Sequence, residues 1–448
     1  MRRRTRAVVL VLALAAPAAA RGQGAAAQGA APQRTLSLND VLTLTRRNNR
    51  DLKVARARLE QASEAVNQAW AALYPTALAQ GKFTRNNKAI SIDPSRFGPP
   101  PATPAAMPAP AIVIQRREQL DATATVSIPI LVPWAYPGVQ AARATDRAAE
   151  ASYGVNETSV LLAAAQTFYQ AAGSDEVLRA RRSAVDVARA GWNDARTRFS
   201  AGTVTSVDVA RAELALVNAE QAARDSDYAR QQAYRALSTI VQAESAFVAT
   251  PGEINPPALD ARDVDEALRL RPELAALQAS LAASEAQARS SGWRWAPSLS
   301  AFGTGRVSNY AGFSGDNYFW AVGASLDWVL YDGGIRDVQR RVARAQARET
   351  VEKVYQLRDS VRDDLANSRL LVETKRAALV SSRRAVDLAR ATLDLVKVQY
   401  DSGATTQLHL LEAQDSLVGA EVGLAQSRFE LAIADLGARR AAGVFPEK

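Results

Sequence analysis

The chain has 448 residues, of which 48% are hydrophobic and 23% charged, and its formal net charge is +9. It contains no cysteine, which excludes a disulfide framework, a cysteine nucleophile, a Cys-ligated metal and a lipid anchor on an N-terminal cysteine. A single histidine provides no zinc cluster and argues against a Ser-His relay. The composition therefore does not favour an enzyme and predicts neither a cofactor nor a metal site.

The first twenty residues have the pattern of a secretory signal peptide. Four arginines precede an apolar run from Ala7 to Leu14, which ends in three small residues at 18–20. The run is too short to be a membrane-spanning helix, which needs about 20 apolar residues. We therefore expect an exported, unlipidated protein with a flexible leader at 21–35. Because four basic residues are removed with the signal peptide, the remaining charge does not predict a nucleic-acid partner.

Proline positions divide the remaining chain into long helical stretches and short joints. No proline occurs between Pro137 and Pro251 or between Pro297 and Pro446, and proline inside a helix costs about 3 kcal/mol. Both stretches are rich in helix-forming residues at helical spacing. They predict helices over 138–199 and 335–400, each about 90–100 Å long at 1.5 Å per residue.

A glycine turn follows each predicted long helix, at Gly202 and at Gly403. Glycine just beyond a helix end is the expected left-handed cap. We therefore expect a helical hairpin at each turn, with a return helix over about 204–247 in the first case.

Internal similarity shows that the chain contains two copies of one unit. Residues 184–190 recur as 385–391, an offset of 201, whereas Leu73-Tyr74-Pro75 matches Trp295-Ala296-Pro297 at an offset of 222. The first copy therefore has 21 extra residues, which must lie between Pro75 and about Ile130, and the Pro/Ala-rich loop 98–110 is the evident candidate for part of this insertion. We expect a first repeat at 36–250 with its tip at 202, a linker at 251–262, and a second repeat at 263–448 with its tip at 403.

Each copy also contains a segment with the two-residue period of a β-strand. Apolar and polar or small residues alternate over 121–130 and over 320–330, and the preceding segments complete hairpins at about 76–130 and 298–330. About ten alternating residues suit a strand with one lipid-facing side. Tryptophans lie near both ends, as interfacial aromatic girdles require: Trp134, Trp293, Trp295 and Trp328 near one end, and Trp320 near the other. The alternative is a soluble hairpin with one face on a core.

Four strands cannot close a barrel, and an open sheet edge in lipid leaves backbone groups unsatisfied. If these strands enter a membrane, several chains must share one barrel. The predicted fold class is an α+β membrane protein with long helical hairpins and two β-hairpins.

The order of several short motifs resembles the TolC family of outer-membrane efflux and secretion channels, over about residues 36–445. The motifs lie before the first strand, after the last strand and at both hairpin tips, and they are Leu36-Ser37-Leu38-x-Asp40-Val41-Leu42, Asn48-Asn49-x-Asp51-Leu52, Ala55-x-Ala57, Leu59-x-Gln61-Ala62, Leu73-Tyr74-Pro75, Phe199-Ser200-Ala201-Gly202, Tyr331-Asp332-Gly333-Gly334, Tyr400-Asp401-Ser402-Gly403 and Leu410-Leu411-Glu412-Ala413.

The resemblance implies a homotrimer in the outer membrane of a Gram-negative bacterium. Each chain would give four strands to a 12-stranded barrel in contact with outer-membrane lipid, and a helical barrel would extend into the periplasm. It implies a passive duct without a cofactor. Its partners would be a periplasmic adaptor, which docks at the tip turns Gly202-Thr203 and Gly403-Ala404, and an inner-membrane transporter of the RND, ABC or MFS class.

The resemblance also places a gate at the periplasmic tip. Tyr400 and Asp208 match a linked pair of the family, and His409 and Glu412 stand at its two acidic ring positions. The family's arginine position holds Thr405, so that link is absent. Alternatives are helix packing for Tyr400, a helix N-terminal charge for Asp208, a solvated face for Glu412, and packing or a hydrogen bond at a helix start for His409.

Two other classes of protein compete with the channel. A periplasmic coiled-coil adaptor is also exported, but such adaptors carry one helical hairpin inserted in β-domains, whereas this chain has two hairpins. A soluble helical enzyme would need a catalytic cluster that the sequence does not contain.

Overall fold

The computed structural model describes residues 34–93, 111–243, 247–252, 264–311 and 315–446. The expected signal peptide, the loop 98–110 and most of the linker 251–262 lie outside these residues. In chain order the elements are β1 (Arg34–Leu36), α1 (Leu38–Asn48), α2 (Arg50–Ala71), β2 (Thr76–Arg85), β3 (Ile90–Ile92), β4 (Ile112–Gln115), β5 (Glu118–Leu131), α3 (Ala135–Ser200), α4 (Ser206–Val241), β6 (Phe247–Ala249), α5 (Val264–Leu270), α6 (Pro272–Gly292), β7 (Ser298–Ser308), β8 (Tyr318–Asp327), α7 (Ile335–Asp401) and α8 (Gln407–Ala441). None of the helices within the described ranges has the length and apolar character that crossing a membrane demands.

Two long antiparallel helical hairpins dominate the fold, α3 with α4 and α7 with α8. The 66-residue α3 and the 67-residue α7 agree with the predicted helices to within three residues at each end. The hairpins carry equivalent ion pairs, Arg189 with Glu220 at 3.1 Å and Arg390 with Glu421 at 3.4 Å. Each residue of the first pair is 201 positions before its counterpart in the second, so the internal repeat extends to side-chain contacts.

The return helix α4 is shorter than predicted, and the leader is partly ordered. Gln242 adopts a left-handed conformation (φ 55°) that ends α4 after Val241, six residues before the expected end. Phe247 lies instead in β6, which pairs in parallel with β1 and thereby orders Arg34 and Thr35 of the expected leader. Burial of Leu36 and Phe247 against the helices stabilises this small sheet.

The four longest strands form one antiparallel sheet in the order β2-β5-β7-β8. The β5–β7 pair joins the two repeats, from Asp121 opposite Ser308 to Leu131 opposite Leu299. The first hairpin matches the predicted 76–130, whereas β8 ends at Asp327, three residues before the predicted 330. Strands β3 and β4 form a separate two-stranded sheet on the way to the Pro-rich loop.

The two faces of this sheet are inverted relative to those of a water-soluble sheet. Along β5 the exposed positions include Val126, Ile128 and Ile130, at 45%, 47% and 56% exposure, while the intervening polar residues are half-buried. The polar face is linked across strands by Thr125 with Thr304 at 3.2 Å. A sheet in water turns its apolar face to the core, so this arrangement suits a surrounding of lipid.

The main apolar core lies where α1, α3, α4 and α8 meet the β1–β6 sheet. Phe168 of α3 is fully buried at its centre, together with Leu237 of α4 and Phe429 of α8. Gly173 allows the close crossing of α3 and α8, because a Cβ atom there would lie 3.1 Å from the Phe429 ring. This crossing packs the first repeat against the second.

Candidate functional site at the helical hairpin tips

Both hairpins turn through the same glycine-capped geometry. Gly202 has φ +74° and Gly403 has φ +76°, in the left-handed region that favours glycine. The amide of Thr203 donates to the Arg198 carbonyl at 2.9 Å, and the amide of Ala404 donates to the Gln399 carbonyl at 2.8 Å. These bonds satisfy carbonyls at the end of each long helix, and the chain reverses direction at both glycines.

Asp208 is the third residue of α4 and caps the N-terminus of this helix. Within the part of the chain that the structure describes, it makes no hydrogen bond to Tyr400. Thr205 donates its hydroxyl to the Asp208 carboxylate at 2.7 Å, and its backbone amide does so at 3.0 Å. The hydrogen bonds from Thr205 hold the pKa of the Asp208 carboxyl below its usual value. Thr205 thus engages this carboxylate locally in a capping box, and the link between Asp208 and Tyr400 implied by the resemblance stays a prediction.

Tyr400 is buried between the two tips, with 8% of its surface exposed. The Arg198 guanidinium, from the last turn of α3, stacks on its ring at 4.7 Å from the centroid. Burial raises the pKa of Tyr400 most; Arg198 opposes that effect, and Asp194, Asp208 and Asp401 add to it. At this position the ring packs between helices and serves as a platform for a cation.

His409 and Glu412 both lie exposed at the start of α8. The His409 Nδ1 is 2.9 Å from the Thr405 hydroxyl, one turn earlier. Glu412 lies beside a groove of about 470 Å³ between α3, α4 and α8. Their spacing of three residues places them on one side of the helix, and their role in a constriction stays a prediction.

Five of the seven tryptophans lie near the ends of the four-stranded sheet. Trp134 follows β5, Trp293 and Trp295 precede β7, and Trp328 follows β8, so all four lie at one end. Each is at least 38% exposed, and the Trp328 indole donates to the Trp295 carbonyl at 3.2 Å. Trp320 lies toward the opposite end and is 63% exposed. Trp320 and Trp328 are eight residues apart along β8 and its end, a separation of about 26 Å, which is close to the height of about 25 Å of the apolar band of a membrane barrel.

Sequence reasoning missed Arg198 and Thr205. The spacing Thr205-x-x-Asp208 is a capping-box signature that could have identified the threonine. No local sequence motif marks Arg198 at the end of α3. The one sequence signal is the difference between the repeats, because Gln399 occupies the equivalent position in the second repeat. Its contacts with the second hairpin depend on tertiary packing.

Comparison with known proteins gives one family and a consistent set of similar structures. The family described as "Outer membrane efflux protein" matches residues 41–241 and 264–444. The outer membrane efflux protein BepC of Brucella suis is 25% identical over 56% of this chain and 55% of its own length. Nodulation protein T of Rhizobium leguminosarum is 27% identical over 52% of each. The chain thus spans about half the length of these relatives. The Campylobacter jejuni CmeC outer membrane channel has a similar structure, with a TM-score of 0.73, 18% identity, and coverage of 91% of this chain and 85% of that one.

Proposed function

Because the chain belongs to the outer membrane efflux protein family, we propose that it is the exit duct of a tripartite efflux or type I secretion system. The duct is a passive channel that crosses the outer membrane and the periplasm and is gated at its periplasmic tip. Family membership confirms the resemblance to TolC-type channels and the location in the outer membrane. It favours the duct over the periplasmic adaptor.

The inverted sheet is the observation that carries the proposal. Its exposed apolar face is bounded by tryptophans at both ends, and its edge strands β2 and β8 have no partner on their outer sides among the described residues. In lipid, unpaired edges leave backbone groups without hydrogen bonds. Pairing β8 of one subunit with β2 of the next removes both edges, and three copies give a closed 12-stranded barrel.

Exposed apolar stripes on α4 and α7 support the same trimer. Val207, Leu214 and Val217 of α4 and Leu388 and Leu395 of α7 are each more than half exposed. Their spacings of seven and three residues are those of coiled-coil seams. Packing α4 of one subunit against α7 of the next would bury both stripes and close a barrel of twelve helices.

The partners follow from this role. A periplasmic adaptor would dock at the tip turns around Gly202-Thr203 and Gly403-Ala404, which are exposed. An inner-membrane transporter of the RND, ABC or MFS class would deliver the cargo, because a passive duct supplies no energy of its own.

The proposal is tested with purified protein from an outer-membrane fraction. Unboiled samples should migrate as a trimer that dissociates on heating, and the trimer should form discrete channels in planar bilayers. A variant with charges on the apolar face, Val126→Asp with Ile128→Asp, should not insert, whereas Thr125→Asp on the polar face should. Monomeric protein in the soluble periplasmic fraction would contradict the proposal.

A further inference from the structure

A cavity lies far from the hairpin tips, at the end of the four-stranded sheet where the long helices begin. It has a volume of about 380 Å³ and is lined by Trp134, Arg294, Val329, Asp332 and Arg336, and its size is typical of ligand pockets. Trp134 and Val329 are exposed. The cavity therefore combines an apolar rim with two cations and one carboxylate.

Arg336 of α7 is buried beside this cavity and keeps one donor group without a partner. Only 5% of the residue is exposed. Its Nε donates to the Asp332 carboxylate at 2.7 Å, its Nη1 donates to the Arg294 carbonyl at 3.1 Å, and its guanidinium lies 3.9 Å from the centroid of the Trp295 ring. Its Nη2 is buried and has no hydrogen-bond partner among the residues that the structure describes. Because a buried charged donor without an acceptor is costly, this group favours an anionic ligand.

Arg294 supplies a second, exposed guanidinium on the same side of α7. Its Nη1 donates to the Gln339 Oε1 at 3.2 Å, and Gln339 lies three residues after Arg336, within one helical turn. Asp332, the one carboxylate that lines the cavity, already pairs with Arg336. The two guanidinium groups therefore leave one positive charge in excess at the cavity.

The internal repeat shows that the first copy has no equivalent of this pair of cations. At the offset of 201 Arg336 corresponds to Ala135, and at the offset of 222 Arg294 corresponds to Ala72. Residues 332–348 contain five arginines and two aspartates, whereas the equivalent residues 131–147 contain two arginines and one aspartate. A long helix can thus start from the sheet without these arginines, which indicates that they serve another purpose.

The cavity lies at the level of the tryptophans that border the apolar face of the sheet. Trp293, Trp295 and Trp328 lie at the same end of the sheet and are exposed, and such tryptophans mark the level where lipid headgroups meet the acyl chains. Leu326 and Leu330, at the end of β8, are also exposed and offer an apolar surface to an acyl chain. Anionic headgroups attract arginine at this depth.

We propose that Arg294 and Arg336 bind the phosphate group of a phospholipid in the leaflet that faces the periplasm. The phosphate oxygens accept hydrogen bonds from the Arg336 Nη2 and from the Arg294 guanidinium, and the acyl chains follow the apolar face of β8. The proposal rests on the membrane-spanning duct proposed above. It assigns one lipid site to each subunit.

Native mass spectrometry of the delipidated, detergent-solubilised trimer tests this site. Phosphatidylglycerol should bind once per subunit, whereas diacylglycerol, which has the same acyl chains and no phosphate, should not. Arg294→Gln and Arg336→Gln should each weaken binding about ten-fold, because each loses a hydrogen bond between charged groups. Arg341→Gln is the matched control and should bind as the wild type does, because Arg341 is an exposed residue of the same helix that does not line the cavity.

Inorganic phosphate distinguishes a lipid site from a site for the free anion. In large excess it should not displace phosphatidylglycerol, because it lacks the acyl chains that contact β8. Displacement by inorganic phosphate to the same extent as by unlabelled phosphatidylglycerol would overturn the assignment to lipid.

The other outcomes separate this site from the duct itself. If the wild-type protein does not insert into bilayers, the duct is refuted. If it forms channels but binds phosphatidylglycerol no better than diacylglycerol, or if Arg341→Gln weakens binding as much as Arg294→Gln does, the lipid site alone is refuted. Should Arg336→Gln fail to assemble, Arg294→Gln decides.

Discussion

Gly173 offers a sharp test of how the two repeats are held together. In an exposed helix interior, replacing glycine by alanine stabilises by about 0.5–1 kcal/mol, because alanine loses less conformational freedom on folding. At Gly173 the new Cβ would lie 3.1 Å and 3.2 Å from two ring carbons of Phe429 and 3.4 Å from its Cβ. Both residues are buried, so neither can move aside freely.

The steric cost should exceed the gain in helix propensity. Adding a methyl group to a well-packed core costs about 1–3 kcal/mol, so Gly173→Ala should be neutral or destabilising by up to about 2 kcal/mol. Gly154→Ala and Gly191→Ala in the same helix are matched controls, because nothing lies within 4 Å of a Cβ at either position. The controls should be more stable than Gly173→Ala by about 1–3 kcal/mol.

Thermal unfolding of the detergent-solubilised trimer, followed by helical circular dichroism, gives the rank order of the variants. Phe429→Leu in the Gly173→Ala background should recover part of the loss, since contacting residues are coupled. A Gly173→Ala protein that is stabilised as much as the two controls would refute the close crossing of α3 and α8.

Three further predictions concern the tips. Tyr400→Phe should leave bilayer conductance unchanged, because the aromatic platform for Arg198 remains, whereas Tyr400→Leu should raise it; a rise in Tyr400→Phe would show that the hydroxyl matters. Thr205→Val should destabilise the start of α4 by about 1 kcal/mol. Because the pKa of the Asp208 carboxyl is held below its usual 3.8, its capping contribution should be complete above about pH 4 and should be lost as the pH falls further. Protection of the amides in the first turn of α4 against hydrogen exchange should therefore fall in acid in the wild type but not in Asp208→Asn. His409→Asp should raise the cation preference of the channel, because three copies of the substitution would add negative charge at the constriction, and an unchanged preference would place His409 outside the pore.

Periodicity and repeats made the architecture predictable. Absence of proline over long stretches, together with glycine at two equivalent places, predicted α3 and α7 and their turns to within three residues. Strand alternation predicted both hairpins of the sheet. These features are local, because helix and strand formation depend on spacings of a few residues, and duplication showed each pattern twice.

Local sequence patterns did not predict where a helix ends when that end depends on contacts with residues far away in the chain. Helical spacing predicted that α4 continues to Phe247, but the helix ends at Gln242. Phe247 instead pairs with Arg34 in the β1–β6 sheet and packs in the same buried core as Leu36. That pairing joins residues more than 200 positions apart, and no local spacing encodes it. The same pairing orders the last residues of the expected leader.

The candidate gate shows the same division between sequence and tertiary structure. The sequence determined where the tips are, which residue types they carry and which family they resemble. Only the tertiary structure decided that Tyr400 receives Arg198 from the other hairpin. A capping box forms between residues three apart and can be read from the sequence, whereas a contact across 200 residues depends on how two helices pack.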